Sequence, residues 1–312
     1  MSVGLASKAI DWPKKTREVQ NFLMDSTRWN DFKFRDGDIV ISTWSKSGTT
    51  WMQQIVAQMI FDASDTVFGQ AESPWIDFQL TPDAVAIADA QTHRRFLKTH
   101  LPIDAIVISP KAKYIYVGRD ARDVVWSFHH HMTHMTEAAA EGFREVVERT
   151  GTALPPPMPP DVRDFYRGWL EFGAQSETSF WDNVQGWWNA RHLPNVLMVH
   201  YANLKADLPG EFRRIAKFLD IEIDEKKLPL MLKHCSLEHM KERAAHVEWL
   251  EKMFDGGGRT FVHKGTNGRW KDVLTPAEIA RCDEVAAEHL TPECAHWLKT
   301  GELETVAAKK SE

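Results

Sequence analysis

Short β-rich runs alternate with segments of helical periodicity along this chain, and that alternation limits its fold more than any other feature. The β-rich runs are residues 38–43, 94–99, 114–119 and 196–201. Apolar side chains recur at helical spacing in residues 49–62, 165–172, 180–191, 208–219 and 275–289. Strands that alternate with helices form a mostly parallel sheet covered by helices on both faces. The sequence therefore predicts an α/β fold with a central sheet.

Nothing in the composition divides the chain into separate units. Its 312 residues, of which 43% are hydrophobic, are sufficient for a large core, and no linker-like stretch separates one half from the other. We therefore expect a single domain over residues 1–312. Residues 150–161 carry five prolines and predict an irregular loop, since proline lacks a backbone donor and has a fixed φ. We expect the wider segment 137–161 to be a flexible loop or lid.

The charge and cysteine content narrow the class of protein. Thirty-eight Lys and Arg residues against 44 Asp and Glu residues give a formal charge of -6, which argues against nucleic acid as a partner. The three cysteines have neither disulfide nor metal spacing and favour a reducing compartment. No apolar run approaches the roughly 18 residues of a membrane span, and residues 1–12 lack a secretory signal pattern. We therefore expect a cytoplasmic protein with no membrane span.

The connection between the first predicted strand and its helix has the chemistry of an anion site. Lys46, Ser47, Gly48, Thr49 and Thr50 would present backbone N–H groups, a helix N-terminus and an ammonium group to one phosphate or sulfate. From these residues alone, a Ser/Thr-capped helix with a solvent-exposed lysine is an equal alternative. A Walker loop has its lysine after the glycine, whereas Lys46 precedes Gly48, so an ordinary ATPase is disfavoured.

A second candidate site follows the third predicted strand. Arg119 stands at the end of that strand, and Asp120 is a suitable N-cap for the helix that follows. Because ligands collect outside the carboxyl ends of parallel strands, we expect Arg119 and Lys46 to face one crevice and to hold two anionic groups. The alternative is that Arg119 only pairs with Asp120 or Asp123 at the surface.

Four segments, taken together and in this order, resemble a known family. They are SKSGTTW at residues 45–51, KTHLP at 98–102, YVGRDARDVVWSFHHH at 116–131 and KGTNGRWKD at 264–272. The combination is similar to the cytosolic sulfotransferases, which take a sulfuryl group from 3'-phosphoadenosine 5'-phosphosulfate (PAPS) and release the bisphosphate PAP. The resemblance covers residues 38–272 and implies a P-loop-like turn that binds the phosphosulfate.

This resemblance implies a role for each matching residue around the donor. The 5'-phosphosulfate should be held by Lys46, Ser47, Gly48, Thr49 and Thr50. The 3'-phosphate should be held by Arg119, Ser127, Lys264 and Gly265. The adenine should be surrounded by Trp51, Tyr201, Cys235 and Leu237, although Leu237 stands where the family often has Phe. The chemistry agrees, because Arg can bind phosphate bidentately and an indole offers a flat face for stacking.

The same resemblance assigns the chemical step. His100 should be the general base that removes the proton of an acceptor hydroxyl, because an imidazole has a pKa near neutrality. Lys46 should neutralise charge on the bridging oxygen of the departing PAP, Lys98 should support the sulfuryl oxygens, and Ser127 should belong to the same catalytic group. The reaction is then an in-line displacement. No metal ion is implied.

Two departures from the family pattern carry consequences. The family commonly has Arg directly before the Lys-Gly pair, and here that residue is His263. We expect donor affinity to fall as pH rises through the His263 pKa, unless Arg259 or Arg269 supplies the missing cation. The vertebrate dimer signature keeps only Lys271 and Thr275 of its four positions, so the sequence leaves the oligomeric state open.

The acceptor is less constrained by the sequence than the donor. The four histidines of residues 129–134 could be metal ligands, but the zinc-protease pattern is absent and we favour the wall of an acceptor pocket. Residues 75–80, the proline-rich loop and residues 247–254 should line the same pocket, and their aromatic and Met content favours a phenol, a sterol-like alcohol or a lipid or glycolipid hydroxyl. A nucleotide kinase-like phosphoryl transferase and a non-catalytic PAP- or PAPS-binding protein stay open as alternatives.

Overall fold

Buried β-rich segments pair side by side at the centre of the computed structural model, which describes residues 10–172 and 178–303. The strands within these residues are β1 (Ile39–Thr43), β2 (Phe96–Thr99), β3 (Lys113–Gly118) and β4 (Val196–His200). They lie in the order β2-β1-β3-β4, and each neighbouring pair is parallel. All five residues of β1 are buried, as expected for a strand covered on both faces. The predicted single α/β domain with a parallel sheet is confirmed.

Helices connect and cover the strands. In the described residues they are α1 (Thr49–Ile60), α2 (Ala84–Ala90), α3 (Ala121–Thr133), α4 (Glu137–Thr150), α5 (Val162–Phe172), α6 (Phe180–Asn189), α7 (Tyr201–Ala206), α8 (Leu208–Leu219), α9 (Leu228–His234), α10 (Leu237–Ala244), α11 (Glu248–Met253), α12 (Gly257–Phe261), α13 (Pro276–His289) and α14 (Pro292–Thr300). Asp120 caps α3 as predicted, because its side chain accepts from the Arg122 backbone N–H.

The two faces of the sheet bury different sets of side chains. Ile41, Ile115 and Val117 pack towards α1 and α8. The alternate residues Tyr114 and Tyr116 point to the opposite face, where both rings lie against Trp187 at centroid distances of 5.9 and 5.6 Å. This alternation follows from the period of two in a strand, and it gives the sheet a core on each side.

Part of the predicted loop over residues 137–161 is a helix. Residues 137–150 form α4, which begins after Thr136, whose side chain accepts from the Ala139 N–H, and ends at Gly151 with φ of 70°. Phe143 and Val146 are buried on its inner face. The expectation of a flexible loop was therefore wrong for 137–150, because the cap and the apolar spacing were both present in the sequence. Residues 151–161 lack regular structure, apart from a bend at the end.

The predicted domain of residues 1–312 is wider than the part that the structure describes. Residues 1–9, 173–177 and 304–312 lie outside the described residues. Among the helices from residue 10 to 172 and from 178 to 303, none combines the length and the apolar character that crossing a bilayer requires.

Candidate active site

The carboxyl ends of the strands deliver the candidate site residues to one edge of the sheet. The turn with Lys46 follows β1, His100 follows β2, Arg119 follows β3 and Tyr201 follows β4. Because the strands lie in the order β2-β1-β3-β4, the spatial order of these residues along that edge is His100, Lys46, Arg119 and Tyr201. All four line one cavity of about 970 Å³. Arg119 Nη1 donates to the Lys46 carbonyl oxygen over 3.2 Å, so the two predicted anion sites adjoin.

Almost every residue predicted from the sequence lines this cavity. The lining includes Lys46, Gly48, Thr49, Thr50, Trp51, Lys98, His100, Arg119, Ser127, Tyr201, Cys235, Leu237, His263, Lys264 and Gly265. Ser47 is the exception. It is buried within the turn, where its N–H donates to the Trp44 carbonyl over 3.3 Å.

The backbone of the turn after β1 is held in an unusual conformation. Lys46 has φ of 68° and Gly48 has φ of 118°. A Cβ at Gly48 would lie 2.8 Å from Tyr201 Cδ2, so this position requires glycine for both its φ and its space. No side chain caps α1, which begins at Thr49, and its first backbone N–H groups are available to an anion. The sequence alternative of a side-chain-capped helix is thereby excluded.

Two lysines of the cavity wall are held without a carboxylate partner in the described residues. Lys46 Nζ lies 3.1 Å from His131 Nδ1. Lys98 Nζ lies 3.9 Å from the centroid of the Trp75 ring. Burial lowers the pKa of each lysine to about 7, and the positive charges of Lys98 and nearby arginines lower the Lys46 pKa further. An anion in the cavity would reverse this shift and stabilise both charged forms.

His100 is fixed in one tautomer by the backbone. Its Nδ1 lies 2.8 Å from the Thr43 carbonyl oxygen, which can only accept, so Nδ1 carries the hydrogen and Nε2 carries the lone pair. The Trp75 ring packs edge-on against the imidazole at a centroid distance of 4.7 Å. Burial, reinforced by the charge of Lys98, holds the His100 pKa well below its usual value. The imidazole is therefore neutral at physiological pH, and its Nε2 is unprotonated.

A buried carboxylate that was not predicted from the sequence lies beside Trp75. Asp77 accepts hydrogen bonds from Thr99 Oγ1 over 2.6 Å, Trp29 Nε1 over 2.8 Å and Trp75 Nε1 over 2.6 Å. Burial raises its pKa, while these three donors and the charge of Lys98 act in the opposite direction. Asp77 therefore fixes the indole that covers Lys98 and His100. No local motif marks it in the sequence.

Arg119 is held by acceptors that carry no net charge. Its Nε and Nη2 donate to Asn267 Oδ1 over 3.2 and 2.9 Å, and Nη2 also donates to the Thr266 carbonyl over 3.0 Å. Its guanidinium carbon lies 4.2 Å from the centroid of the Tyr201 ring. Asp120 pairs with Arg122 instead, at 2.6 Å. In the described part of the chain Arg119 forms no ion pair with a carboxylate, so the alternative of a simple surface pair was wrong.

The residues expected around adenine cluster at the far end of the cavity. Trp51 and Tyr201 meet edge to face at a centroid distance of 5.4 Å. The indole N–H of Trp51 donates to the Cys235 carbonyl over 2.9 Å, which orients the ring. Leu237 lines the cavity beside them. These contacts leave aromatic and apolar faces suited to a flat heterocycle.

His263 does not behave as the sequence led us to expect. Its ring stacks on His130 at a centroid distance of 3.7 Å. Burial, the adjacent His130 and the charge of Arg269 lower the His263 pKa to about 4. His263 is therefore neutral between pH 6 and 8, and the expected loss of donor affinity by its titration near neutrality has no basis in this geometry. A neutral His263 does not provide the positive charge of an arginine at this position.

The other histidines of α3 have separate partners. His129 Nε2 lies 2.9 Å from the Pro159 carbonyl oxygen, and His130 Nε2 lies 3.3 Å from that of Thr260. Within the described residues, 10–172 and 178–303, no group of three or more His, Cys, Asp or Glu side chains is arranged to hold a metal ion. His130 and His131 line the cavity, as expected for a pocket wall.

Part of the cavity wall is apolar, and its Trp75 ring packs against His100. Its lining includes Trp75, Phe78, Phe143, Met158, Phe165 and Trp169. Trp75 and Phe78 stack with their ring planes 1° apart at a centroid distance of 4.2 Å. A wall of this kind favours an apolar ligand next to the imidazole.

Comparison with known proteins decides the family. A family model described as "Sulfotransferase domain" matches residues 36–292. The chain belongs to the sulfotransferase family. This sulfotransferase is 32% identical over 316 residues to a glycolipid sulfotransferase of Mycobacterium bovis, with 93% of this chain and 96% of that protein covered. It is 29% identical over 282 residues to sulfotransferase 1B1 of Mus musculus, with 86% and 87% covered.

Solved structures share the fold of this sulfotransferase. Retinol dehydratase in a complex with retinol and PAP superposes with a TM-score of 0.68 at 22% identity, covering 85% of this chain and 84% of that chain. Mouse sulfotransferase SULT7A1 complexed with PAP gives a TM-score of 0.67 at 21% identity, covering 88% and 92%. The sulfotransferase fold recognised in the sequence is therefore confirmed.

Proposed function

We propose that this sulfotransferase transfers a sulfuryl group from PAPS to the hydroxyl or phenol of a small, largely apolar acceptor. The observation that carries the proposal is the row His100, Lys46, Arg119, Tyr201 along one edge of the sheet. Neighbouring strands are about 4.8 Å apart, so this row spans roughly 14 Å. A base, two cationic sites and an aromatic site in that order match the order of groups from acceptor oxygen to adenine.

The charges of the site support a donor with two anionic groups. Lys46, Lys98 and Arg119 line the cavity, and in the described residues none of them forms an ion pair with a carboxylate. Buried cations are normally paired, because an isolated buried charge is costly. A ligand with one phosphosulfate and one phosphate would provide the missing negative charge. PAP in the neighbouring structures likewise has two anionic groups, both of them phosphates.

Different residues of this chain assist different parts of the displacement reaction. His100 Nε2 accepts the proton of the acceptor hydroxyl as its oxygen forms a bond to sulfur, and the bond from sulfur to the phosphate oxygen breaks. Lys46 stabilises the negative charge that develops on that departing oxygen, and Lys98 binds the sulfuryl oxygens. Ser127 and Arg119 hold the 3'-phosphate and so keep the three reacting atoms in line. No step in this sequence calls for a metal ion.

We infer that the acceptor is a lipid-like or sterol-like alcohol or a phenol. The apolar wall beside His100 supports this class. Two relatives point the same way: the Mycobacterium bovis protein is named a glycolipid sulfotransferase, and retinol dehydratase has structures in complex with retinol and with androsterone. A cytoplasmic location and a lid role for residues 137–161 stay predictions.

The decisive experiment is transfer of the labelled sulfuryl group from PAPS to a panel of phenols, sterols, long-chain alcohols and glycolipids. We expect labelled product from at least one apolar class, with a rate unchanged by EDTA. Turnover of ATP that depends on Mg²⁺ would instead favour the kinase-like alternative. PAPS binding without transfer to any member of the panel would favour the non-catalytic alternative.

Binding of PAP should take up protons near neutral pH. Lys46 and Lys98 have pKa values of about 7 in the free protein, and a bound anion raises them. Both lysines are thus partly neutral before binding and charged afterwards, so PAP affinity should fall as pH rises above about 7. Calorimetry at pH 7.5 in buffers of different ionisation enthalpy measures the uptake. A release of protons, or none exchanged, would contradict the assignment.

A further inference from the structure

Arg269 stands out among the cations of the cavity. It lines the cavity, and within the described residues its guanidinium makes no hydrogen bond and no ion pair. Its Nε is buried without a partner. Buried donors are nearly always satisfied, and an unpaired one is costly, above all on a charged group. A group that stays unpaired beside a cavity is a candidate for contact with a ligand.

The surroundings of Arg269 favour an anion. Burial and the charge of Arg119 both lower its pKa, while Asp123 and Tyr201 act in the opposite direction. Asp123 is itself engaged, because its Oδ1 accepts from the Gly268 N–H over 2.7 Å. The Nε and Nη2 of Arg119 are likewise occupied by Asn267. Of the two arginines Arg119 and Arg269, Arg269 is therefore the one whose N–H groups are not engaged by other residues of the described chain.

Two of the neighbouring candidates, His263 and Arg259, cannot supply a permanent charge inside the cavity. His263 is neutral near pH 7, because burial and its stack on His130 lower its pKa to about 4. Arg259, the other arginine that the sequence suggested, is exposed on α12 and does not line the cavity. Lys264 lines the cavity as an exposed residue of the same loop.

We propose that Arg269 binds the 3'-phosphate of the donor through its free guanidinium edge and provides the permanent charge that His263 lacks. The proposal rests on the proposed function, since it assumes a 3'-phosphorylated nucleotide. Its physical basis is that a planar guanidinium can donate two parallel bonds to phosphate oxygens, whereas a neutral imidazole can donate one. Arg119 remains a second cation at the same phosphate. Its bonds to Asn267 and to the Thr266 carbonyl also position residues 266–267 beside that group.

The test compares two ligands that differ only in the 3'-phosphate. Calorimetry measures the Kd of PAP and of adenosine 5'-monophosphate for the wild type and for Arg269→Gln. We expect the Kd of PAP to rise about 10–100-fold, the effect of losing hydrogen bonds between charged groups. The Kd of the monophosphate should change less than about twofold, since that ligand has no group for Arg269 to bind.

Two further variants complete the design. Arg269→Lys keeps the charge but not the two parallel bonds, so its PAP affinity should lie between those of wild type and Arg269→Gln. Arg259→Gln is the matched control and should bind both ligands like wild type. The inference would be overturned if Arg269→Gln and Arg269→Lys weakened the binding of PAP and of the monophosphate equally. It would also be overturned if the Kd of PAP did not change. A wild type that binds neither ligand would overturn the proposed function as well, which separates the two failures.

Discussion

His100→Asn should lower kcat for sulfuryl transfer by about 10²–10⁴-fold, the usual contribution of a positioned general base. The asparagine amide can still donate to the Thr43 carbonyl, which His100 Nδ1 contacts at 2.8 Å, but it offers no basic nitrogen. The loss should therefore appear in kcat. Because we propose that the imidazole contacts the acceptor hydroxyl and not the nucleotide, the Kd of PAP should change less than about threefold. Steady-state kinetics with PAPS and calorimetry with PAP measure the two effects.

The control for this variant is a histidine away from the cavity. His192 is exposed and lies 2.8 Å from the Asn189 carbonyl oxygen, so His192→Asn should keep wild-type kcat. The pH profile adds a second check. Because the pKa of His100 is held well below its usual value, kcat/KM should not decline between pH 8 and pH 6 through protonation of this residue. Full activity in His100→Asn would rule out the imidazole as the base.

Lys46→Met should lower kcat by about 10²–10³-fold, as expected when a group that stabilises transition-state charge is removed. Methionine is an unbranched side chain one atom shorter than lysine. Like lysine, it must adopt the φ of 68° at this position, so the backbone cost is similar in both proteins. What is lost is the ammonium group that faces His131 and the cavity. The variant should also take up fewer protons when PAP binds.

Lys111→Met is the matched control, because Lys111 is exposed and contacts Asp36 only at 3.9 Å. It should match the wild type in kcat, in PAP affinity and in proton uptake. A Lys46→Met variant with wild-type kcat would show that the departing oxygen is stabilised by other groups. Weakened PAP binding with unchanged kcat would assign Lys46 to binding alone.

The parts of the fold that follow from local pattern could be predicted from the sequence. Residues 39–43 and 113–118 are short β-rich segments, and both are strands at the centre of the sheet. Parallel strands place their carboxyl ends together, which is why Lys46 and Arg119 were expected to adjoin. Helix α4 could have been predicted as well, from Thr136 as its cap and the spacing of Phe143 and Val146.

The contacts that modify the site could not be predicted, because they join residues far apart in the chain. Asn267 holds the Arg119 guanidinium across 148 positions of sequence. His263 loses its basicity through a stack on His130, which no spacing rule indicates. Asp77 fixes Trp75, two residues away, but it also accepts from Thr99 and Trp29, and only the folded chain brings these four together.

The place of His100 in the sheet bears on how acceptor preferences can change during evolution. His100 follows β2, a strand at the edge of the sheet, and Trp75 approaches from outside through an isolated bridge to Lys98. The turn with Lys46 and the residue Arg119 follow the inner strands β1 and β3, which are fixed by neighbours on both sides. Mutations in the segments outside β2 can therefore reshape the surroundings of His100 while the sites at Lys46 and Arg119 keep their dimensions, and the two regions can diverge at different rates.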